Sequence, residues 1–218
     1  MPNAHDPEFA ELHDLVFDPK PVVLTGRYVR LEPLSHDHAA DLRGAGSDPE
    51  IWRYMPCGPF REGAGIEELI ADALTQAATG VQVPFAIIDA QGGAAIGSTR
   101  YLEIRRKDRA LEIGWTWIAP AHQRTPVNTE CKLLVLGHAF DTLGAVRMQF
   151  KTDARNQRSQ AAITRVGARQ EGVLRKSLIM SDGFVRDTVY FSIVRQEWPA
   201  AKRRLQAMLD ARSAKTTS

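Results

Sequence analysis

The stretch from Leu111 to Leu136, LEIGWTWIAPAHQRTPVNTECKLLVL, constrains the fold more than any other part of the chain. Leu111 to Ile118 mixes aliphatic, β-branched and aromatic residues, the composition of a buried strand. Ala119-Pro120 stops it, and Ala121 to Val127 is a short polar turn. From Asn128 the period changes: Cys131, Leu134, Val135, His138 and Ala139 recur at helical spacing. A buried strand that runs through a tight loop into a helix aims the helix N-terminus past the strand end. Its free N–H groups make that point suited to phosphate.

Upstream, Met1 to Lys20 carries a weak apolar pattern (Phe9, Leu12, Leu15, Val16), the mark of a short helix or docking arm. Val22 to Glu32 reads as two short extended pieces around Gly26. Ser35 offers a helix cap. His36 and His38 tempt a metal reading, but an i, i+2 pair diverges on a helix and no third ligand is near. A short helical piece follows Ser47-Asp48-Pro49-Glu50, and Trp52, Tyr54 and Phe60 surround a Pro/Gly-rich bend. Glu62 to Thr79 is an amphipathic helix through Ile66, Leu69, Ile70, Ala73 and Leu74. Pro84–Asp89 and Ala94–Ile104 join across Gln91-Gly92-Gly93, and the polar tip 105–109 leads into the central strand. Three antiparallel strands joined by two hairpins follow. Beyond the central helix come a strand (146–152), a helix (156–166) stopped by Gly167, a hairpin across Ser181-Asp182-Gly183, and a terminal helix from Trp198. The strands on either side of the central helix should be parallel, joined by a right-handed crossover.

The strand–loop–helix resembles the acyl-coenzyme A site of the GNAT N-acetyltransferases. There the loop reads Gln/Arg-x-x-Gly-x-Gly/Ala; here the matching positions are Gln123, Pro126 and Asn128, so only the first agrees. The chain is more similar to the branch of ribosomal-protein N-terminal acetyltransferases. Glu112, Ile113, Gly114 and Trp115 match that branch's Glu-Ile-Gly-aromatic strand. Gln123, Arg124, Thr125, Asn128 and Glu130 match its Gln-Arg-Thr-x-x-Asn-x-Glu loop. The resemblance runs from about Val22 to Gln196 and implies an α/β (α+β) fold. Its core is a mixed, mostly antiparallel sheet of six to seven strands with flanking helices, here with an added C-terminal helix. Residues 1–20 would be an N-terminal arm, 21–199 the acetyltransferase domain and 200–218 a C-terminal helix and tail.

What the resemblance implies is transfer of an acetyl group from acetyl-coenzyme A, as co-substrate, to a primary amine of a small molecule or a protein N-terminus. Gln123, Arg124, Thr125, Val127, Asn128 and Thr129 would hold the pyrophosphate. Pro126 cannot donate a hydrogen bond, yet it suits the first turn of a helix; Thr125 is placed to cap it. Trp117 and Ile118 would pair with the pantetheine arm. Asn156 and Ser159 match the family's Asn-x-x-Ser, with Asn156 on the pantetheine amides and Ser159 facing the thiol. Arg124, Lys132, Arg158 and Arg165 are candidate partners for the phosphates. Trp52, Tyr54 and Trp115 would line the acceptor side.

Glu112 is a charge inside a run that otherwise reads as buried, and a lone buried carboxylate is costly unless paired or functional. Burial would raise its pKa toward the range useful to a general base. The alternative is a structural partner for Arg100 on the neighbouring strand. A non-catalytic acyl-coenzyme A sensor would keep the loop but need neither Glu112 nor Ser159.

Composition narrows the classes further. With 28 Lys plus Arg against 26 Asp plus Glu, the net charge of +2 calls for neither nucleic acid nor a membrane surface. No apolar run approaches the ~18 residues of a membrane span, and the N-terminus lacks the pattern of a signal peptide. Cys57 and Cys131 form no CxxC pair, so the expected setting is a reducing cytoplasm. Cys131 falls on the apolar helix face; Cys57 precedes Gly58 in a loop with no identifiable base nearby. No metal site, GxxxxGK[ST] loop or GxSxG elbow occurs. A homodimer is compatible with the resemblance. The acceptor stays open.

Overall fold

The computed structural model describes residues 12, 15–56 and 65–216, with side chains to residue 212. Phe9, Cys57 and Phe60 lie outside the described residues. Eight strands form one sheet in the order β1-β2-β3-β4-β5-β6-β8-β7. They are β1 (Leu24–Thr25), β2 (Val29–Pro33), β3 (Val83–Asp89), β4 (Ala95–Arg105), β5 (Ala110–Ile118), β6 (Arg147–Asp153), β7 (Arg169–Ile179) and β8 (Val185–Val194). Only β5 and β6 run parallel; every other neighbouring pair is antiparallel. The sheet therefore matches the expected mixed, mostly antiparallel class. Its strand count is eight because the two extended pieces around Gly26 pair with each other as β1 and β2.

Among the described residues five α-helices flank the sheet: α1 (Ala39–Ala45), α2 (Ile66–Ala78), α3 (Pro126–Gly137), α4 (Gln157–Val166) and α5 (Trp198–Thr216). Alternate residues of β3 show how both faces are filled. Phe85 and Ile87 join one core with Tyr101, Leu136, Phe140, Met148 and Trp198. Ala86 and Ile88 join a second with Leu42, Trp52, Ile66 and Ile70. A strand buried on both faces reads as a continuous apolar run, as PFAII does. Each large side chain buried in these cores contributes roughly 1.5–3 kcal/mol.

Three further placements matter for the site. Leu12 and Phe17 of the N-terminal arm are buried, and Arg109 donates to the Leu15 carbonyl at 2.9 Å. The terminal helix α5 packs Trp198, Ala201 and Leu205 into the core shared with α3. Helix α3 begins at Pro126, two residues before the periodicity, because Thr125 caps it: its hydroxyl accepts from the Val127 N–H at 3.3 Å. No described helix is long and apolar enough to cross a membrane.

Candidate active site

The site exists because β5 and β6 part company. Their pairing covers only Ala110 to Glu112 against Arg147 to Gln149. From Ile113 onward β5 keeps β4 on one side but has no strand on the other, so its outer backbone groups face a cavity of about 480 Å³. An open strand edge can pair with an extended ligand as a neighbouring strand would.

Within this open part β5 carries a bulge. Ser98 pairs with Trp117 and Arg100 with Gly114, so three steps on β5 match two on β4. Trp115 takes up the extra residue at φ +50°, a left-handed conformation rare for a bulky side chain. Arg100 sits over its ring, 4.7 Å from the centroid. Bulges re-aim backbone and side chains next to active sites.

The strand then feeds the loop. Arg124 is left-handed at φ +62°, and Arg212 of α5 donates to its carbonyl at 3.0 Å. Gln123 donates from Nε2 to the Ile118 carbonyl at 2.9 Å and accepts from Arg158 at 3.1 Å, tying strand end, loop and α4 together. Thr125 also donates to the His122 carbonyl at 2.6 Å. Pro126 has no N–H and the Val127 N–H is taken by Thr125. By helix geometry this leaves the Thr125 and Asn128 N–H groups without intrahelical partners. Arg124, Arg158 and Arg165 stand around the same mouth and supply positive charge that this short set of donors lacks.

At the other end, Glu112 is 1% exposed. Gln149 donates to its Oε2 at 3.0 Å, and the Lys151 ammonium lies 3.2 Å from the same oxygen. Burial pushes the Glu112 carboxyl above the ordinary glutamate range; Lys151 and Gln149 pull it down without cancelling that rise. Lys151 also pairs with Glu103 at 2.8 Å. Burial works against its charge, but the two carboxylates hold its pKa above that of ordinary lysine. A β-carbon on Gly114 would stand 2.9 Å from Glu112 Oε1 and 3.0 Å from Leu102, so the glycine leaves room for the carboxylate.

The structure brings most of the expected residues to this one cavity. Glu112, Trp115, Trp117, Ile118, Gln123, Arg124, Thr125, Asn128, Asn156, Ser159 and Tyr54 all line it. Asn156 caps α4, its side-chain oxygen accepting from the Ser159 N–H at 3.0 Å. Four expectations come out differently. Trp52 is buried away from the cavity: its ring lies 5.1 Å from that of Trp117, and its Nε1 donates to the Gly46 carbonyl. The side chains of Val127 and Thr129 are buried and do not line the cavity. Lys132, expected among the phosphate partners, lines the cavity, but its ammonium is engaged by Thr116 Oγ1 at 2.7 Å, and burial holds its pKa below the usual lysine range. Arg100 pairs with Asp72 and Gln82, while the partner of Glu112 is Lys151. Lys151 and Arg186 also line the cavity and are not singled out by the sequence, because they arrive from β6 and β8. No group of three metal-binding side chains occurs among the described residues.

The splayed parallel pair, the bulge on its long strand and the capped helix at the strand end make up the strand–loop–helix whose resemblance is to N-acetyltransferases, and comparison with known proteins agrees. The family model described as Acetyltransferase (GNAT) domain matches residues 29–169. The chain belongs to the GNAT acetyltransferase family, enzymes that acetylate amines with acetyl-coenzyme A. Among similar structures, a GCN5-related N-acetyltransferase from Brucella melitensis is 31% identical; it covers 87% of this chain and 86% of its own, with a TM-score of 0.81. YdaF of Bacillus subtilis (strain 168), provisionally named a ribosomal N-acetyltransferase, is 28% identical over 50% of this chain and 59% of its own length. RimJ of Mycobacterium smegmatis, in complex with CoA-disulfide, shares the fold at 23% identity, with a TM-score of 0.72 over 89% of this chain and 96% of that one.

Proposed function

We propose that this protein binds acetyl-coenzyme A along the open edge of β5 and transfers the acetyl group to a primary amine by direct attack, with Glu112 as the base. The observation that carries the reading is a buried carboxylate of raised pKa at the point where β5 and β6 separate, with the capped start of α3 at the other end of the same strand. Thr125 and Asn128 N–H groups, with Arg124, Arg158 and Arg165, suit the coenzyme phosphates. The unpaired backbone between Ile113 and Ile118 suits the amides of the pantetheine arm, and a backbone N–H of the bulge suits the thioester oxygen.

In the step itself the amine nitrogen bonds to the thioester carbonyl carbon and the carbon–sulfur bond breaks. The amine gives a proton to Glu112, directly or through water. The leaving thiolate accepts a hydrogen bond from the Ser159 hydroxyl and takes a proton from water relayed through that hydroxyl, so that Ser159 ends as it began. An acceptor amine is mostly protonated at neutral pH, with reference pKa about 7.7–8.0 for an α-amino group and about 10.4 for lysine, so a base is required. The sensor reading needs neither residue, and no observation favours it. A cytoplasmic setting suits the buried free thiol of Cys131.

The test is thiol release from acetyl-coenzyme A over a panel of amines, with mass spectrometry of the products. Acetylation of at least one amine is expected. Failure of acetyl-coenzyme A to bind, read as no heat by calorimetry and no rise in melting temperature, contradicts the reading.

A further inference from the structure

Arg186 of β8 is only 5% exposed and lines the cavity on the side of Glu112 and Tyr54. Two of its guanidinium donors are committed: Nε to Thr188 Oγ1 at 3.1 Å, and Nη1 to the Tyr54 carbonyl at a long 3.4 Å. Among the described residues no carboxylate pairs with it. Asp153 is the nearest candidate in charge terms, but its oxygens are held by Arg155 through the backbone N–H (2.8 Å), Nε (3.0 Å) and Nη2 (2.7 Å). Glu112 acts on Arg186 electrostatically but is itself paired with Lys151. A buried guanidinium has five donors and a high desolvation cost, and its usual match is a carboxylate held by two parallel bonds.

The balance of charge on this part of the wall points the same way. Among the described residues Glu112 is the one anion there; Lys151 and Arg186 are cations. An uncharged amine would leave Arg186 facing the cavity unanswered. An acceptor with a carboxylate near its amine would give Glu112 its proton and Arg186 its counter-ion.

We infer that Arg186 is the recognition point for a carboxylate on the acceptor, so that the substrate class is an amine that carries a carboxylate rather than a plain amine. The carboxylate belongs either to a free amino acid or to the side chain of an acidic first residue in a peptide. This rests on the transferase reading above and extends it to the substrate. Arg186 is a binding residue in this account and takes no part in proton transfer.

The experiment measures thiol release with matched acceptors: amino acids against their amides, and peptides beginning with Asp or Glu against the same peptides beginning with Asn or Gln. Wild type, Arg186→Gln and Arg186→Lys are compared, with coenzyme affinity and melting temperature on each. Wild type should prefer the carboxylated member of one set, and that set identifies the source. Arg186→Gln should lower kcat/KM for that member about 10- to 100-fold, mainly through KM, and erase the preference. Arg186→Lys should recover part of it, and coenzyme affinity should hold. A wild type that turns over acid and amide equally overturns the inference and leaves the transferase intact. So does an Arg186→Gln variant that loses both members equally, since Arg186 would then only support the Tyr54 segment. A protein that binds acetyl-coenzyme A but acetylates none of these acceptors also overturns it. Failure of coenzyme binding removes the parent reading as well.

Discussion

Two glutamates of the same strand–loop–helix are buried to a similar degree and are held in opposite ways. Glu130, 6% exposed on α3, is saturated: its carboxylate accepts the backbone N–H groups of Arg27 (2.9 Å), Tyr28 (2.6 Å) and Val29 (2.8 Å). It clasps the β1–β2 turn to the helix, and a β-carbon on Gly26 would overlap its carboxyl group. Glu112, 1% exposed on β5, has one amide donor and one lysine, and it borders a cavity. Its glycine neighbour, Gly114, clears space on the cavity side. Burial alone therefore does not mark a functional carboxylate. Saturation by fixed backbone donors marks Glu130 as structural; a side-chain counter-ion and adjoining open space are what single out Glu112, the proposed base.

The comparison breaks or sharpens along the same line. The largest expected effect is that of Glu112→Gln: turnover should fall by roughly 10²-fold or more, the scale of a general base, with coenzyme affinity retained. Steady-state kinetics and calorimetry on one preparation check this. Glu130→Ala should do the reverse. Orphaning three backbone donors should cost roughly 3 kcal/mol, or about 6–12 °C in melting temperature for a chain of this size. Turnover per folded molecule should stay near wild type. If Glu130→Ala loses turnover and keeps its melting temperature, the division of roles is wrong.

The two glycines provide a milder pair. Gly114→Ala should press on Glu112 and lower turnover several-fold, with a melting temperature close to wild type. Gly26→Ala should displace Glu130 and lower stability by about 1–2 kcal/mol with turnover kept, on the scale of a strained small-to-large change. The smallest effect belongs to Ser159→Ala. Water can also protonate a thiolate, so turnover should drop only about tenfold, with coenzyme affinity unchanged. A loss of affinity instead would assign Ser159 to coenzyme binding.

What the sequence showed was what depends on neighbours along the chain. The central strand, the loop, the capped helix and the hairpin turns at Gly93 and Gly183 are local, and both glycines sit at positive φ. Most residues at the loop end of the cavity follow because they lie on that one local unit. The Glu112 end of the cavity is assembled differently: Lys151 and Arg186 reach it through the sheet order β6-β8, and no spacing in the sequence announces that convergence. Trp52 follows the same logic in reverse. An aromatic at a Pro/Gly-rich bend fits a cavity wall or a core equally well, and here the ring of Trp117 and the Gly46 carbonyl claim it. Glu130 belongs to the matched loop pattern, but its partner, the β1–β2 turn about a hundred residues earlier, becomes visible only once the chain is folded.

The central claim is that Glu112 must lose its proton for transfer to occur, and the pH dependence of kcat with both substrates saturating tests it most directly. Burial raises the Glu112 pKa, so the wild type should show an acidic limb whose midpoint lies above the ordinary glutamate value of 4.5. Activity should be lost as pH falls through that midpoint and the carboxylate takes up its proton. Glu112→Gln should lack this limb across the range in which the protein stays folded. A variant that keeps the limb at the same midpoint, with turnover near wild type, would contradict the claim and remove Glu112 from the chemistry.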